Sequence, residues 1–240
     1  MHFIFPVYPD TKIIDDEYFN EFEIVKNSNV NTYSLVDIDN KKVIKDSTNK
    51  EKCIYRGWML SNEDYIWLNS KFNLETSLDE YLKFHNIKNW YPLLKDYTFE
   101  TEIFDDIENF NKNFIQKHDK YLLKNYVKSL GFVSSKEDVL SLINTNTQNN
   151  FDGIVLRKFE ELSKCEVRVF VYKKKLLTLH MSIPFWLLKV IEILDSDCLY
   201  TIDLGFRKDR EWVLIEIGDG QVSSLKENSV KGFYNVLTQY

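Results

Sequence analysis

Glycine is scarce in this chain of 240 residues, in which it occurs seven times. The phosphate-binding loop GxxxxGK[ST], where glycines let the backbone approach a phosphate closely, does not occur. Cysteine occurs three times, at widely spaced positions inside apolar runs and without a CxxC pair, which excludes a disulfide framework and a thiolate metal cage. The four histidines lack HExxH spacing, so a zinc site of that type is also excluded.

Long apolar runs are missing as well. The longest, IPFWLLKVIEIL, is interrupted by Lys189 and Glu192, and the first segment, MHFIFPVYPD, has no basic n-region. We therefore expect no membrane span, no signal peptide and a cytoplasmic location. The net charge of -6 gives no overall attraction to nucleic acid, so nucleic-acid partners are not expected. Nothing in the pattern selects an oligomeric state.

The first half of the chain combines short strands with helices. Strands are predicted at HFIFPV, FEIVK, TYSLVDI and KCIYRGWML, and helices at NEDYIWLNSKF and LDEYLKFHN. Ser77 and Glu80 form a capping box that opens the second helix. NWYPLLKDYT is expected to be a connection, because Pro92 disfavours helix at Tyr91 and at itself. The acidic segment from residue 100 to about 114 is expected to be helical.

The second half is rich in strands. They are predicted at KYLLKNYVKS, GIVLRKF, EVRVFVY, LLTLHMSI, LYTIDLGF and WVLIEIG. Helices are predicted at KEDVLSLINT and FWLLKVIEIL and, at the end, in SVKGFYNVLTQY. Because the strands follow one another with few helices between them, the pattern indicates an α+β fold with antiparallel strands and not a βαβ repeat.

Two carboxylates interrupt apolar strands near the end of the chain. Asp203 lies in TIDLGF and Glu216 in EWVLIEI, and the polar RKDR between them predicts a hairpin. A turn centred between Asp209 and Arg210 would pair the two acids on one face, whereas a three-residue loop would put them on opposite faces. Opposed carboxylates repel unless a cation lies between them. The pattern predicts either a Mg²⁺ site, with Asp219 just beyond the strand, or acids paired with lysine and arginine.

Basic residues on successive predicted strands supply the complementary charge. They are Lys124 and Lys128 in LLKNYVKS, Arg157 and Lys158 in VLRKFEEL, and Arg168 in CEVRVFV. Triphosphate chemistry needs such groups, because cations hold the phosphates and stabilise developing charge. Each one alone is typical of a surface charge, so only their joint placement indicates a nucleotide site. The run of lysines at 173–175 is expected to be the exposed turn of a hairpin.

These segments, in this order, resemble the nucleotide-binding strands of ATP-grasp proteins. The resemblance covers roughly residues 53–240, and its most specific part is the Glu-x-Gly-Asp-Gly-Gln-Val-Ser element that begins at Glu216. That element is similar to one in a compact clade of bacteria and phages, in which YRGWML and WYPLL also have counterparts. The resemblance implies a small α/β domain at 1–95 and an ATP-grasp domain at 96–240. Its two α+β lobes, about 96–158 and 159–240, would hold ATP between antiparallel sheets.

The resemblance also implies a reaction and the residues that serve it. A carboxylate is phosphorylated by ATP, with ADP released, and an amine then attacks the acylphosphate. The implied cofactors are ATP and Mg²⁺, and the implied substrates are small-molecule or peptide carboxylates and amines. By position, the implied nucleotide contacts are Lys124, Lys128, Arg157, Lys158, Phe159, Glu160 and Arg168, the implied catalytic residues are Lys124 and Arg168, and the implied metal ligands are Asp203, Glu216 and Asp219.

The chain departs from the wider family at two places. Many members carry x-Asn after the metal glutamate, whereas Glu216 is followed by Ile217-Gly218, so Asp219 is the candidate for the third ligand. The lid loop of many members is rich in glycine, whereas KSLGFVSSKED has one glycine and offers serines at 134 and 135 as phosphate donors. Candidates for the acceptor region are Arg56, Trp58 and His180.

Two other functions are compatible with parts of the pattern. FDGIVLRK resembles the Glu-Gly-x-Val-x-Lys element of covalent nucleotidyltransferases such as nucleic-acid ligases, but the Lys-x-Asp-Gly motif that carries their nucleotide does not occur. A nucleotide-binding module without catalysis would keep the phosphate contacts and lose the acceptor pocket. The products distinguish these interpretations, because a nucleotidyltransferase releases AMP or pyrophosphate rather than ADP.

Overall fold

The structure is a computed structural model that describes residues 1–47, 51–146, 152–177, 183–208, 211–226 and 228–239, with the backbone alone at Lys164 and Cys165. The strands in these ranges are β1 (His2–Pro6), β2 (Thr32–Asp37), β3 (Lys42–Lys45), β4 (Cys53–Tyr55), β5 (Thr101–Phe104), β6 (Tyr121–Lys124), β7 (Ser129–Val133), β8 (Ile154–Lys158), β9 (Leu162–Tyr172), β10 (Lys175–Leu176), β11 (Tyr200–Arg207) and β12 (Trp212–Asp219). The helices are α1 (Asp16–Lys26), α2 (Asn62–Lys71), α3 (Leu78–His85), α4 (Ile87–Leu94), α5 (Ile107–Asn113), α6 (Lys136–Thr145), α7 (Trp186–Leu194) and α8 (Val230–Leu237). The mixed α+β class with antiparallel sheets is confirmed.

The chain divides into two compact units that interleave along the sequence. Unit 1 comprises Met1–Leu82, Val167–Asp203 and Gly218–Tyr240, and unit 2 comprises Lys83–Glu166 and Leu204–Ile217. The predicted domains at 1–95 and 96–240, and the lobe boundary near 158, are divisions by family resemblance rather than by packing. They therefore stay a prediction.

Unit 1 contains a sheet with the strand order β3-β2-β1-β4. The central strand β1 pairs in parallel with both β2 and β4, and β2 pairs antiparallel with β3. All of β1 is buried, because each face of the sheet carries helices. Phe3 and Phe5 pack in a cluster with α1 and α8, whereas Ile4 packs in a second cluster with α2 and α3.

Unit 2 contains an antiparallel sheet with the order β5-β8-β6-β7. Lys124 pairs with Val155, and Arg157 pairs with Leu122. Because residues opposite each other, and residues two apart, point to the same face of a sheet, these four side chains share one face. The other face carries the core of the unit, which α5 and α6 cover. The sheet therefore brings Lys124 and Arg157 to the side that is not the core.

A further sheet has the order β10-β9-β11-β12. β9 and β10 pair antiparallel across a turn in which Lys173 and Lys174 have φ of 49° and 61°, so the predicted lysine turn is confirmed. The division between the units falls within β9, β11 and β12, which assigns Asp203 to unit 1 and Glu216 to unit 2. The predicted turn centre, residues 209–210, lies outside the described residues. The pairing of the two carboxylates on one face therefore stays a prediction.

The segment FEIVK was expected to be a strand, and this prediction is wrong, because it forms the end of helix α1. Asp15 caps the helix by accepting a hydrogen bond from the backbone N–H of Glu17 at 2.9 Å. Tyr18, Phe22 and Val25 follow helical spacing and are buried together on one face. The β-branched pair Ile24-Val25 favours strand locally, but the cap and the burial of this face outweigh it.

The segment NWYPLL was expected to be a connection, and this prediction is also wrong. It lies in helix α4, with Pro92 inside the helix. Asn86 caps the helix through its side chain, and the helix buries Ile87, Trp90 and Leu94. Proline in a helix removes a backbone hydrogen bond. Burial of three large apolar side chains, each worth about 1.5–3 kcal/mol, offsets that cost.

Two further expectations are settled in part. Residues 100–114 were expected to be helical, but Thr101–Phe104 forms β5 because it pairs with β8, and only Ile107–Asn113 is helix. Most of LLTLHMSI, residues 178–182, lies outside the described residues.

Several expectations are confirmed. The capping box is present, since Ser77 Oγ accepts from the Glu80 N–H at 3.2 Å and Glu80 Oε2 accepts from the Ser77 N–H at 3.4 Å. Cys53 and Cys198 are buried free thiols, whereas the side chain of Cys165 lies outside the described part. Within the described ranges, every helix is too short or too polar to cross a membrane.

Candidate functional site

Unit 2 contains a cavity of about 570 Å³. Small-molecule sites in proteins range over about 300–1,000 Å³, so this volume suits a compact ligand. The wall combines aromatic and aliphatic side chains with charged ones, and it consists of Phe99, Leu122, Phe132, Arg157, Lys158, Phe159, Glu160, Glu161, Leu162, Glu166, Lys208 and Ile215. Apolar surface for a flat group and charges for a polar group are thus present in one cavity.

The predicted hinge segment, Lys158 to Glu160, lines this cavity. Glu160 pairs with Lys158 at 3.1 Å and with Arg207 at 2.7 Å. Although partial burial acts in the other direction, the hydrogen bond from Lys158 and the charge of Arg207 lower the pKa of Glu160. On the same wall, the Lys120 ammonium lies 4.2 Å from the ring centre of Phe159 and 4.5 Å from that of Phe132. These contacts fix the side chains of the wall before any ligand binds.

Arg157 is buried at the wall of the cavity without a carboxylate partner among the described residues. It donates from Nη1 to the carbonyl of Ile215 at 2.5 Å and from Nη2 to Thr98 Oγ1 at 2.9 Å, while its buried Nε has no hydrogen-bond partner in the described part of the chain. Burial lowers the pKa of Arg157 to about 10, and the charge of Glu216 opposes this effect. A buried guanidinium that lacks a counter-ion is a binding group for an anion.

Lys124 and Glu216 form an ion pair within unit 2. Lys124 Nζ lies 2.6 Å from Glu216 Oε1, and the side chain of Lys124 is 4% exposed whereas that of Glu216 is 41% exposed. Glu216 therefore keeps one accessible side, and Lys124 is held from below by the sheet. Lys128, another predicted nucleotide contact, is exposed just before β7.

Arg168 and Asp203 form a second ion pair, within unit 1. Arg168 donates from Nε and Nη2 to the two oxygens of Asp203 at 2.7 and 2.6 Å, which is the bidentate geometry of a strong pair. Arg168 Nη1 also donates to the carbonyl of Ser224 at 3.1 Å, and Lys226 approaches Asp203 at 3.5 Å. Two cations thus share one carboxylate, so this cluster has capacity for a further anion.

Asp219, the third predicted metal ligand, is fully buried. Its Oδ1 accepts from the Gln221 N–H at 2.9 Å, and its Oδ2 has no hydrogen-bond partner among the described residues. Burial raises the pKa of Asp219 to about 7, although the hydrogen bonds from Gln221 act in the opposite direction. The role of Asp219 as a ligand stays a prediction.

The donor chemistry of Asp203 and Glu216 fits Mg²⁺, because carboxylate oxygens are the ligands that this ion prefers. Each of them is paired with a basic side chain, as the second of the two interpretations of the sequence expected. No group of three His, Cys, Asp or Glu side chains arranged for a metal occurs in the part of the chain that the structure describes. Binding of a metal would therefore need the pairs with Lys124 and Arg168 to open.

Sequence reasoning missed three titratable groups near these residues. His85 is half-buried near Glu216 and Lys128: burial lowers its pKa to about 4, while Glu216 raises it and Lys128 lowers it further. Lys226 approaches Asp203, and Arg207 anchors Glu160. His85 ends a helix and gives no signal in the sequence, whereas Arg207 was detectable in principle as a basic residue at the end of a strand that carries Asp203.

The three acceptor candidates have different surroundings. Arg56 is fully buried and pairs with Glu21 at 2.6 Å, so it is occupied inside unit 1. Trp58 is half-buried and stacks on Tyr8 with 5.8 Å between ring centres. His180 lies outside the described residues. Of the two that are described, Trp58 is the one with an accessible face.

Comparison with solved structures identifies the fold. A D-cycloserine synthetase, DcsG, has a TM-score of 0.69 at 11% identity, with 98% of this chain and 99% of that chain covered. The D-alanine-D-alanine ligase of Helicobacter pylori has a TM-score of 0.65 at 12% identity, with 100% and 98% covered. The ATP-grasp ligase PsnB, solved with a phosphomimetic variant of a minimal precursor, Mg and ADP, has a TM-score of 0.60 at 9% identity, with 99% and 97% covered. At these identities the likeness shows the fold alone.

Other comparisons are narrower. The chain spans 48% of the length of an L-amino acid ligase from Bacillus licheniformis, with 66% of this chain covered, 12% identity and a TM-score of 0.49. A sequence search of curated proteins gives no match. A family model described as an ATP-grasp domain, family 3 of its clade, matches residues 40–237, which is most of the chain. The chain therefore belongs to this family of ATP-grasp domain proteins.

Proposed function

We propose that this chain is an ATP-dependent, ADP-forming ligase that joins a carboxylate to an amine. The observation that carries the proposal is the buried guanidinium of Arg157, which has no carboxylate partner among the described residues and lies at the wall of a ligand-sized cavity. A charge kept in this state costs free energy unless an anion offsets it. Membership of the ATP-grasp family supports ATP as the source of that anion.

The nucleotide roles expected from the sequence are part of the proposal. The adenine would lie in the cavity against Lys158, Phe159 and Glu160, where aromatic walls suit a flat base. Lys124, Lys128 and Arg157 would hold phosphate oxygens, as would Arg168. Lys124 and Arg168 are bound to carboxylates in this structure. They would exchange these partners for phosphate when ATP binds.

The reaction has two balanced steps. A substrate carboxylate oxygen attacks the γ-phosphorus, the bond to the β,γ-bridging oxygen breaks, and ADP leaves. The amine nitrogen of the acceptor then attacks the acylphosphate carbon, phosphate leaves, and the nitrogen loses a proton. Lys124 and Arg168 would act in the first step by holding the transferred group and stabilising its charge.

Mg²⁺ is proposed as the metal, held by Asp203 and Glu216 with Asp219 as the third candidate. When bound, it would neutralise phosphate charge and orient the γ-phosphoryl group. Among the structural relatives, the PsnB complex contains Mg and ADP, which supports this choice by analogy. Glu216 is the ligand whose accessibility is shown, since its side chain is 41% exposed.

Small carboxylates and amines, or peptides, are the proposed substrates. The relatives with this fold include a D-alanine-D-alanine ligase and a ligase complexed with a variant of a minimal precursor, which supports both sizes of substrate by analogy. The proposed compartment is the cytoplasm, because the buried cysteines Cys53 and Cys198 are free thiols, which suits a reducing environment.

The test is turnover of ATP with Mg²⁺ and a pool of amino acids and peptides, scored for nucleotide products and new condensation products. We expect ADP and phosphate, and a loss of at least about 100-fold in Asp203→Asn and in Glu216→Gln. Glu102→Gln is the matched control for Glu216→Gln, because Glu102 pairs with Lys117 in the same unit and does not line the cavity.

The outcome also separates the alternatives. AMP or pyrophosphate as the product would identify a nucleotidyltransferase instead. ATP binding without turnover in any pool would indicate a binding module. Equal turnover in the wild type and in both acid variants would remove the metal assignment.

A further inference from the structure

The strand order of unit 1 defines a crevice at the carboxyl ends of two parallel strands. The order β3-β2-β1-β4 places β2 on one side of β1 and β4 on the other, with both parallel to β1. The chain leaves β1 toward β2 and later returns to the opposite side, which makes the junction of β1 and β4 a topological switch point. In open α/β sheets, ligands bind outside the carboxyl ends of the strands at such points.

Two aromatic side chains stand at this junction. Tyr8 follows the end of β1, Trp58 follows the end of β4, and their rings stack with 5.8 Å between centres at 27°. The close approach of the strands requires Gly57, since a Cβ there would lie 2.4 Å from the ring of Pro6. The Trp58 carbonyl accepts from the Tyr55 hydroxyl at 3.0 Å, which fixes its backbone. We call Tyr8 and Trp58 the aromatic platform.

The aromatic platform is open to solvent and apolar. Tyr8 is 43% exposed, Met59 beside Trp58 is 43% exposed, and Ile13, whose carbonyl accepts from the Tyr8 N–H, is 62% exposed. The carboxylate in contact with Tyr8, Asp15, is already occupied, because it accepts from the Tyr8 hydroxyl and from the first turn of α1. The surface therefore favours an apolar group over a charged one.

The GDGQVSS loop, residues 218–224, connects the aromatic platform to the ion pair proposed for phosphate transfer. Gln221 accepts through its carbonyl from the Gly57 N–H at 3.2 Å and through its side chain from the Tyr55 N–H at 3.3 Å. Three residues later, the carbonyl of Ser224 accepts from Arg168, which holds Asp203. Three residues span at most about 11 Å of chain. A substrate no longer than an amino acid or dipeptide would bridge that distance.

We propose that the aromatic platform is the subsite for an apolar side chain, aliphatic or aromatic, on the amino-acid or peptide substrate of the ligase. This inference rests on the proposed function, because it takes the Arg168–Asp203 pair as the place of phosphate transfer. The side chain of the substrate would cover Trp58 and Tyr8 while its carboxyl or amino group lies toward Arg168. Selectivity for the side chain then depends on unit 1 alone.

Binding of free amino acids without ATP tests the subsite directly. Saturation-transfer NMR would compare L-phenylalanine, L-leucine, L-alanine and L-lysine on the full chain. We expect phenylalanine and leucine to bind at least about tenfold more tightly than alanine or lysine, as stacking and burial on two rings predict. Trp58→Ala and Tyr8→Ala should remove that preference, and Trp58→Phe should retain most of it. Phe19→Ala, which removes another exposed aromatic ring of unit 1, is the matched control and should change nothing.

Turnover separates this proposal from the function on which it rests. If Trp58→Ala melts at the wild-type temperature and forms ADP with unchanged selectivity, the subsite is wrong and the ligase stands. If phenylalanine and leucine bind through the aromatic platform but the wild type forms no ADP with any amino acid or peptide, the ligase is wrong and the binding site stands. A preference for lysine, or a preference for phenylalanine that survives both alanine variants, would overturn the subsite.

Discussion

Arg56 in unit 1 and Arg157 in unit 2 are both buried, yet their charges are balanced in different ways. Arg56 donates from Nε and Nη2 to the two oxygens of Glu21 at 2.7 and 2.6 Å, and from Nη1 to the carbonyl of Gly220. Although burial opposes it, the charge and the hydrogen bonds of Glu21 raise the pKa of Arg56. Burial instead lowers the pKa of Arg157 to about 10, because its described hydrogen-bond acceptors are neutral.

The difference separates a structural charge from a functional one. In unit 1 the guanidinium ties α1 to the GDGQVSS loop, and Tyr234 completes the network by donating to Glu21 at 2.7 Å. Each side-chain nitrogen of Arg56 has a partner there, so the network is closed to a ligand. In unit 2 the guanidinium lies at the cavity wall, and its Nε has no partner among the described residues. Removing a charge from water costs several kcal/mol, so the arrangement around Arg157 becomes favourable when an anion arrives.

The largest expected effect is on the closed network of unit 1. Glu21→Gln removes the counter-charge and leaves the Arg56 charge buried, so we expect a loss of about 3–5 kcal/mol in the free energy of unfolding. Urea denaturation measures it. Glu17→Gln, on the exposed side of the same helix, is the control and should change the value by less than about 0.5 kcal/mol. A loss below about 1 kcal/mol for Glu21→Gln would mean that Arg56 is not the structural charge of the comparison.

The sequence could predict which segments carry the charges but not which charges are closed. Strand alternation and the spacing of VLRKFEEL, TIDLGF and WVLIEIGDG suffice to find Arg157, Asp203 and Glu216. Arg56 and Arg157 look alike locally, since each follows apolar residues of a strand. They differ because packing brings Glu21 to Arg56 across 35 residues of sequence, whereas no acid among the described residues pairs with Arg157.

Long-range packing also explains the segments that were predicted wrongly. In FEIVK the β-branched pair favours strand, whereas the helix exists because Phe22 and Val25 pack on the sheet of unit 1 together with Tyr18. In NWYPLL the proline disfavours helix, whereas burial of Trp90 and its neighbours maintains it. Local preference is worth about 1 kcal/mol per residue, and buried apolar contacts exceed it.

Asp219 is expected to give the second largest effect, and it tests how closed unit 1 is. Its folded-state pKa of about 7 lies above the ordinary 3.8 because it is buried. Between these values the folded state holds a proton that the unfolded state has released, so stability falls as pH rises from about 4 to 7 and then stays low. The penalty at pH 8 is at most about 4 kcal/mol, at about 1.4 kcal/mol per pKa unit.

Asp219→Asn removes that titration. We expect its free energy of unfolding, relative to the wild type, to increase between about pH 5 and pH 8, as measured by urea denaturation at both pH values. Asp39→Asn, at an exposed site of the same unit, should show no such increase. The opposite result, with Mg²⁺ at high pH stabilising the wild type but not Asp219→Asn, would make Asp219 a metal ligand and move it to the functional side of the comparison.

Arg157→Met has the smallest expected effect on stability and is the sharpest test of the comparison. Because the wild-type charge is buried without a counter-ion among the described residues, its replacement by an apolar side chain should change the free energy of unfolding by no more than about 1 kcal/mol. Binding of Mg-ATP, measured by calorimetry, should weaken by about 1.5–3 kcal/mol, the worth of a hydrogen bond to a charged group. Arg157→Lys keeps the charge but not the planar fork, so it should lose part of that affinity. A large loss of stability in Arg157→Met with unchanged ATP affinity would show that Arg157, like Arg56, serves the fold.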